Sequence, residues 1–439
     1  MNIKNQLTLM NFFQLFVWGA WLTTLASYGF GFKKWTGQDF GIVFSTLGIA
    51  SIIMPAISGI IADKFMNLEK LYGLHHILYG LSLLVIPHID NASTFFWVML
   101  LAMVFYMPTL SLSNALSYTI LKNNNYDVVK VYPPIRVYGT IGFIVAMWIT
   151  NLISDPESPL EFGLKVGNKL SQFTGMAIQC NQFYVAALFA ILLGIYSMTL
   201  PKCPPKNEIL TAKATLTEKL GLQGFKLFKQ TKLATFFIFS VFLGAALQLT
   251  NMYGETYIKD FKNFPEFANT FAVQSANIVL SISQISETIF ILAIPFFLKR
   301  YGIKRVMLFS LVAWVLRFGF FAYGDPINSL WMILMSNIVY GFAFDFFNIS
   351  GSLFIETTTD SKIRSSAQGL FMMMTNGFGA VLGSLSSGYL IDNYFTHKGI
   401  KDWHNIWLTF AVYALIIAIA FAIFFKHKHN PEEIAEVTH

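Results

Sequence analysis

Charge is what this chain has least of. Asp, Glu, Lys and Arg make up 12% of its 439 residues, against roughly 25% in soluble domains, so water is the wrong solvent for most of it. Cysteine is scarcer still. Cys180 and Cys203 are the only two, and they fall at opposite ends of a predicted membrane helix, too far apart to bridge. That excludes a disulfide framework and a thiolate metal centre. No glycine-rich phosphate loop is present, so ATP is not the implied energy source, and no nucleophile stands beside a base, so hydrolysis has no machinery. His75 and His76 are adjacent on one helix and cannot both face one metal, so packing is their reading. Asn91-Ala-Ser93 matches the glycosylation sequon by chance, and Asn123 to Asn125 reads as a turn. Nothing in the chain asks for a cofactor.

What is abundant is apolar surface: 55% of the residues are hydrophobic, and Phe alone occurs 45 times. Apolar stretches long enough to cross a hydrocarbon core of about 30 Å fall near 7–30, 39–62, 71–87, 95–120, 135–153, 181–200, 233–258, 270–298, 304–323, 329–354, 367–391 and 403–425. The first lacks a small-residue cleavage site and reads as a span rather than a removed leader. Six spans, a polar stretch and six more predict an all-α integral membrane protein with twelve transmembrane helices in two six-helix bundles. The boundaries are 1–200 for the first bundle, 201–232 for a linker and 233–439 for the second. The linker carries seven lysines and the string PKCPPK, as a cytoplasmic connection would.

Positive charge sets the orientation. With the N-terminus inside, the cytoplasmic side holds twenty Lys and Arg and the outside eight, so both termini are expected in the cytoplasm. The formal net charge of +7 is explained by that distribution and implies no nucleic acid. The segment from about 154 to 181 reads as the longest outside loop, ending in the mildly apolar GMAIQC.

Polar side chains within the spans carry the functional information. Asp, Glu and Arg there cost roughly 2.5 to 3.5 kcal/mol each on insertion, so they usually face a cavity. Segment seven holds Gln248 and Asn251, segment eight Gln284 and Glu287, segment ten Tyr340, Phe344 and Asp345. Residues three or four apart share a helix face, so the first two pairs each point one way. Segment five places Arg136, Thr140 and Phe143 on one stripe. Amides and carboxylates offer paired donors and acceptors, arginine a rigid fork, and aromatics flat apolar faces. Such a mixture suits a planar, polyhydroxylated, uncharged ligand such as a nucleoside; a sugar or free purine base is the competing solute. The bland reading is interhelical glue for the amide pairs, a snorkelling anchor for Arg136 and packing for Arg317. Glu287 and Asp345 are the proton-coupling candidates, because a carboxyl in a cavity can take up and release a proton.

Several strings resemble a known family. SGIIADK, Ser58 to Lys64, is similar to the G-x-x-x-D-[RK] signature of the major facilitator superfamily, whose Gly makes a close helix contact and whose Asp joins a charge relay. Gly59, Asp63 and Lys64 are thereby implied as a conformational lock. The second-half counterpart, PFFLKRYGIKR, has Pro295 for the Gly and Lys299 for the Asp. FVWGAWLTTLASY (Phe16 to Tyr28), YMPTL (Tyr106 to Leu110), VYPPIRVYGTIGFI (Val131 to Ile144), SISQISETIFIL (Ser281 to Leu292), FAYGDP (Phe321 to Pro326), YGFAFDFFNISG (Tyr340 to Gly351) and AQGLFMMMTNGFG (Ala367 to Gly379) look like the nucleoside:proton symporter family over nearly the whole chain. The resemblance implies proton-coupled nucleoside uptake through the bacterial inner membrane. It also implies a pocket of Arg136, Thr140, Phe143, Gln248, Asn251, Gln284, Glu287, Tyr340, Phe344 and Asp345. Expected partners are a purine or pyrimidine nucleoside, protons and membrane lipid, with the chain a monomer.

Overall fold

The computed structural model describes residues 2–158, 160–205, 222–360 and 363–428. It divides into two compact units, Met1–Leu220 and Gly221–His439. Unit one contains α1 (Ile3–Gly19), α2 (Gly37–Lys64), α3 (Leu68–Val85), α4 (Ala92–Asn123), α5 (Val128–Ile153), α6 (Glu161–Thr174) and α7 (Asn181–Ser197). Unit two contains α8 (Thr231–Asp260), α9 (Ala276–Ile291), α10 (Ile294–Tyr323), α11 (Leu330–Ala343), α12 (Asp345–Thr358), α13 (Arg364–Met372), α14 (Ala380–Tyr394) and α15 (Trp403–Phe424). A two-strand hairpin, Thr396–His397 with Ile400–Lys401, turns between α14 and α15.

Among the described residues, eight helices are long and apolar enough to cross a membrane. The other expected spans are short or interrupted. The first breaks after Gly19 and resumes as a π-helical turn at Ser27–Phe32, the eleventh has a π-helical stretch at Met373–Gly379, and the eighth ends at Ile291 before a two-residue break. α10 fuses the end of segment eight to segment nine, and Gly302 divides it with φ 76°, ψ 166°, a conformation glycine reaches without a Cβ penalty. With these three segments and the eighteen-residue α3, which carries Glu69, Lys70, His75 and His76, counted, the described residues supply twelve spanning segments.

Close packing in unit one starts from small residues. A Cβ on Gly142 would collide with the backbone of Phe12, and one on Gly19 would lie 2.7 Å from the Phe143 oxygen, so α1 and α5 approach backbone to backbone. A cluster of polar groups at this depth satisfies one another, as an apolar surrounding demands. Gln14 donates to Thr109 Oγ1 (2.9 Å) and accepts from the Tyr72 hydroxyl (2.6 Å) and His76 Nε2 (2.9 Å), joining α1 to α3 and α4. His75 lies between the Phe105 carbonyl (2.9 Å) and Ser58 Oγ (3.1 Å). Both histidines are packing residues. Unit two has the same logic: Gly379 and Gly383 lie against the α8 backbone at Val241 and Ala245.

Local signals resolve into capping and turns. Asn91 caps α4 by accepting from the Ser93 N–H at 2.8 Å, and Asn125 takes φ 57° in the turn after it. Cys180 and Cys203 are free and buried. Of the expected linker, 206–221 lies outside the described residues. Its start docks on unit one, where the Leu68 N–H donates to the Cys203 carbonyl (2.9 Å) and the Cys203 N–H to Glu69 Oε2 (2.8 Å). Its end, Leu222–Lys229, winds into 3₁₀ turns against α13 in unit two.

One sequence expectation is corrected. The stretch 154–181, read as an outside loop, contains the fourteen-residue helix α6. Its apolar positions recur every four and seven residues, too few to register as a span.

Candidate functional site

In unit one, α5 carries the predicted stripe. Phe143 is buried, Thr140 half-buried and Arg136 exposed, so Arg136 has neither an ion pair nor a hydrogen bond among the described residues. Phe143 meets Trp18 edge to face at 6.2 Å, and Trp18 in turn meets Tyr106 at 5.6 Å. Trp18 Nε1 is buried with no hydrogen-bond partner among the described residues. These aromatics extend the Phe143 surface, and sequence reading did not assign them. The signal was present in FVWGAW, where two tryptophans flank the glycine that lets α1 reach α5.

In unit two, the amide pair on α8 is split. Gln248 is buried and Asn251 half-buried. Gln284 and Glu287 on α9 are half-buried, as is Phe344, while Tyr340 and Asp345 are buried. Gln248 Oε1 and Gln284 Oε1 are buried acceptors without a protein donor among the described residues. Such atoms are rare and call for an explanation. Segment ten is irregular at one residue, Phe344, between α11 and α12; its φ −91° and ψ −60° are still right-handed helical, so the predicted trio lies on one span that loosens there. Irregular backbone at membrane depth is tolerated where it lines a cavity or is covered by protein. Tyr340 lies within electrostatic range of Glu287, Arg317 and Asp345.

Arg317, taken from the sequence as packing, is the residue that holds these helices in register. It is 1% exposed, and its guanidinium lies 4.5 Å from the centre of the Tyr340 ring. From α10 it donates to Thr250 Oγ1 on α8 (3.2 Å), to Ser283 Oγ on α9 (3.3 Å) and to the Ser336 carbonyl on α11 (2.7 Å). Thr250 and Ser283 are each one position from a predicted pocket residue, Ser336 is one helical turn from Tyr340, and Tyr340 is itself one. Ser283 also donates to Asn337 Oδ1 at 2.7 Å, and a Cβ on Gly341 would stand 2.8 Å from the Ser286 backbone.

The lock residues behave otherwise. Asp63 and Lys64 are exposed at the end of α2, and a Cβ on Gly59 would meet nothing within 4 Å. The close helix contact implied for Gly59 is therefore not made in this structure. Glu255, near the C-terminal end of α8, is buried and paired with Lys259 at 3.0 Å. No group of three or more metal-ligating side chains occurs among the described residues.

Spanning helices in two units, with interrupted segments bearing buried acceptors, carboxylates and aromatic faces, define a polytopic solute transporter of the major facilitator fold. The chain belongs to the nucleoside H+ symporter family, whose model matches residues 1–430. It is 48% identical to the xanthosine permease of Escherichia coli (strain K12) over 442 residues, covering 100% of both chains. It is 46% identical to the nucleoside permease NupG of the same organism, covering 98% of this chain and 97% of that one. The crystal structure of the nucleoside transporter NupG superposes with a TM-score of 0.85 over 98% of this chain and 100% of that chain. The protein is accordingly a membrane symporter that couples nucleoside uptake to protons, and not an enzyme.

Proposed function

We propose that the protein takes up purine and pyrimidine nucleosides across the bacterial inner membrane as a monomer with both termini in the cytoplasm. The residues proposed to contact substrate are Arg136, Thr140 and Phe143 in the first bundle, 1–200, and Gln248, Asn251, Gln284, Glu287, Tyr340, Phe344 and Asp345 in the second, 233–439. Residues 201–232 connect them on the cytoplasmic side, and the Gly59, Asp63 and Lys64 motif acts as the lock between conformations.

The observation that carries this reading is the pair of buried acceptors, Gln248 Oε1 and Gln284 Oε1, without protein donors among the described residues. Ribose hydroxyls or a base N–H would supply those donors. Phe143 and Tyr340 offer faces for the base, and the Arg136 guanidinium can donate to ribose or base oxygens. Xanthosine belongs in the substrate set because a xanthosine permease and a nucleoside permease are nearly equally similar to this chain. The test is uptake of labelled uridine, adenosine and xanthosine into proteoliposomes with and without an inward proton gradient. Gradient-driven accumulation of at least one is expected. Well-folded protein that accumulates none of them, yet moves a sugar or a free base, would overturn the substrate assignment.

A further inference from the structure

Helix α6 has a face that neither the fold nor transport uses. Its fourteen residues span about 21 Å at 1.5 Å each, short of the roughly 30 Å needed to cross a bilayer. At 100° per residue, Phe162, Val166 and Phe173 fall within about 40° of one another, Gly163 and Gly167 lie about 100° round from them, and Glu161, Asn168 and Gln172 occupy the third side.

The glycine side is accounted for. A Cβ on Gly163 would stand 2.7 Å from the Leu152 carbonyl, and one on Gly167 would clash with the Ile153 carbonyl, so α6 lies directly on the end of α5. Asn181, at the start of α7, fixes it there by donating to the Ile153 carbonyl (2.8 Å) and the Gly167 carbonyl (2.9 Å). The apolar side is bare: Phe173 is 88% exposed, Phe162 78% and Val166 38%.

We infer that α6 is a membrane-surface helix, lying in the headgroup region beside α5 with Phe162, Val166 and Phe173 inserted among the acyl chains. The three sides have the order that a helix lying flat requires: protein beside it, hydrocarbon below it, water above it. The bare stripe also continues an existing lipid face, since Trp148 and Ile149, one turn below the docking point on α5, are exposed as well, and tryptophan belongs at the membrane interface. Lys165 and Lys169 lie between the apolar and polar sides, where their stems follow the hydrocarbon and their ammonium groups reach phosphate. Lys165 also holds Glu161 at 2.8 Å. The occupant is therefore phospholipid rather than a protein partner, because a spanning helix already brings this face to the bilayer surface.

The test uses the full chain in vesicles of phosphatidylethanolamine and phosphatidylglycerol. Nitroxide labels are attached at Phe162→Cys, Val166→Cys, Phe173→Cys and, as the water-side reference, Asn168→Cys. The unsubstituted protein measures labelling of the two native cysteines. At 162, 166 and 173, collision with oxygen should exceed collision with a water-soluble nickel complex, and the ratio should reverse at 168. Equal, nickel-dominated accessibility at all four positions would overturn the proposal by placing the stripe in water. Labels at 162 and 173 immobilised and shielded from both reagents would overturn it in favour of a protein covering this face. Nucleoside uptake by each labelled variant confirms that the fold is kept.

Discussion

At the scale of the residue, Arg317 is a buried charge whose contacts place it beside the proposed substrate residues. Its fork reaches three helices, and its charge rests on the face of a proposed pocket residue, an arrangement lysine cannot reproduce. We expect Arg317→Met to raise KM for nucleosides by about tenfold or more, the scale set by one lost charge-assisted hydrogen bond of ~1.5 to 3 kcal/mol. The measurement is KM and binding affinity per folded molecule. A variant that lowers only the yield of folded protein, with KM unchanged, would reduce Arg317 to packing. Arg317→Lys should recover part of the affinity, and Thr250→Val, which removes a single acceptor, should give a smaller loss. A second residue-scale expectation concerns Cys203. Burial, with the Glu69 carboxylate nearby, pushes its thiol up to about 11. Because the thiolate is the nucleophile, alkylation of native protein at pH 7 should be negligible and should rise only as the pH approaches that value. Rapid labelling of native protein at pH 7 would show the docked linker segment to be open.

At the scale of the element, the structure turns on where backbones touch and where helices break. Gly142 touches: a side chain there meets the Phe12 backbone. Gly142→Val should therefore destabilise by about 1 to 3 kcal/mol through overpacking, read as a lower unfolding temperature in detergent. Gly319 is the contrast, with open space where its Cβ would sit, in the last two turns of α10. Gly319→Ala should be neutral or stabilising by up to ~1 kcal/mol from helix propensity. If both substitutions shift stability alike, close approach is not what fixes the α1 and α5 pairing.

The same elements show what could be read from sequence. Spans were legible because hydropathy over about twenty residues is a strong signal, and the polar residues within them stood out by their insertion cost. The breaks were not. The irregularity at Phe344 lies between an alanine and an aspartate, with no proline or glycine there to announce it, and the π-helical turns at Ser27–Phe32 and Met373–Gly379 leave hydropathy unchanged. Helix α6 was missed because its apolar residues serve a surface rather than a span. Arg317 was visible as an anomaly, but its role depends on Thr250, Ser283 and Ser336, which are far from it in sequence and unremarkable alone. Trp18 was quoted as part of a family-like string without a role, since an aromatic on a membrane helix is ordinary until its indole N–H is seen to lack a partner.

At the scale of the whole molecule, the question is which carboxylate converts a proton gradient into accumulation. Glu287 and Asp345 both lie within electrostatic range of the Tyr340 hydroxyl, so protonation of either is felt where the nucleoside is proposed to bind. Their settings differ: Asp345 is buried at the first position of α12, next to the irregularity at Phe344, whereas Glu287 is half-buried on α9, one turn before that helix ends at Ile291. A buried group beside an irregular residue can change its surroundings with a small movement of the backbone, and so can be exposed to one side and then the other. A half-buried group is better placed to hold substrate. We therefore expect Asp345→Asn to abolish gradient-driven accumulation while retaining exchange of labelled for unlabelled nucleoside, and to change nucleoside affinity by less than about tenfold. Glu287→Gln should instead weaken binding, by roughly 1.5 to 3 kcal/mol if a charged hydrogen bond to substrate is lost, while the transport that remains is still driven by the gradient. The two variants are compared in proteoliposomes by accumulation ratio, exchange rate and binding affinity. If Asp345→Asn still accumulates nucleoside against its gradient while Glu287→Gln only exchanges it, the assignment is reversed and the irregularity at Phe344 serves substrate binding rather than proton coupling.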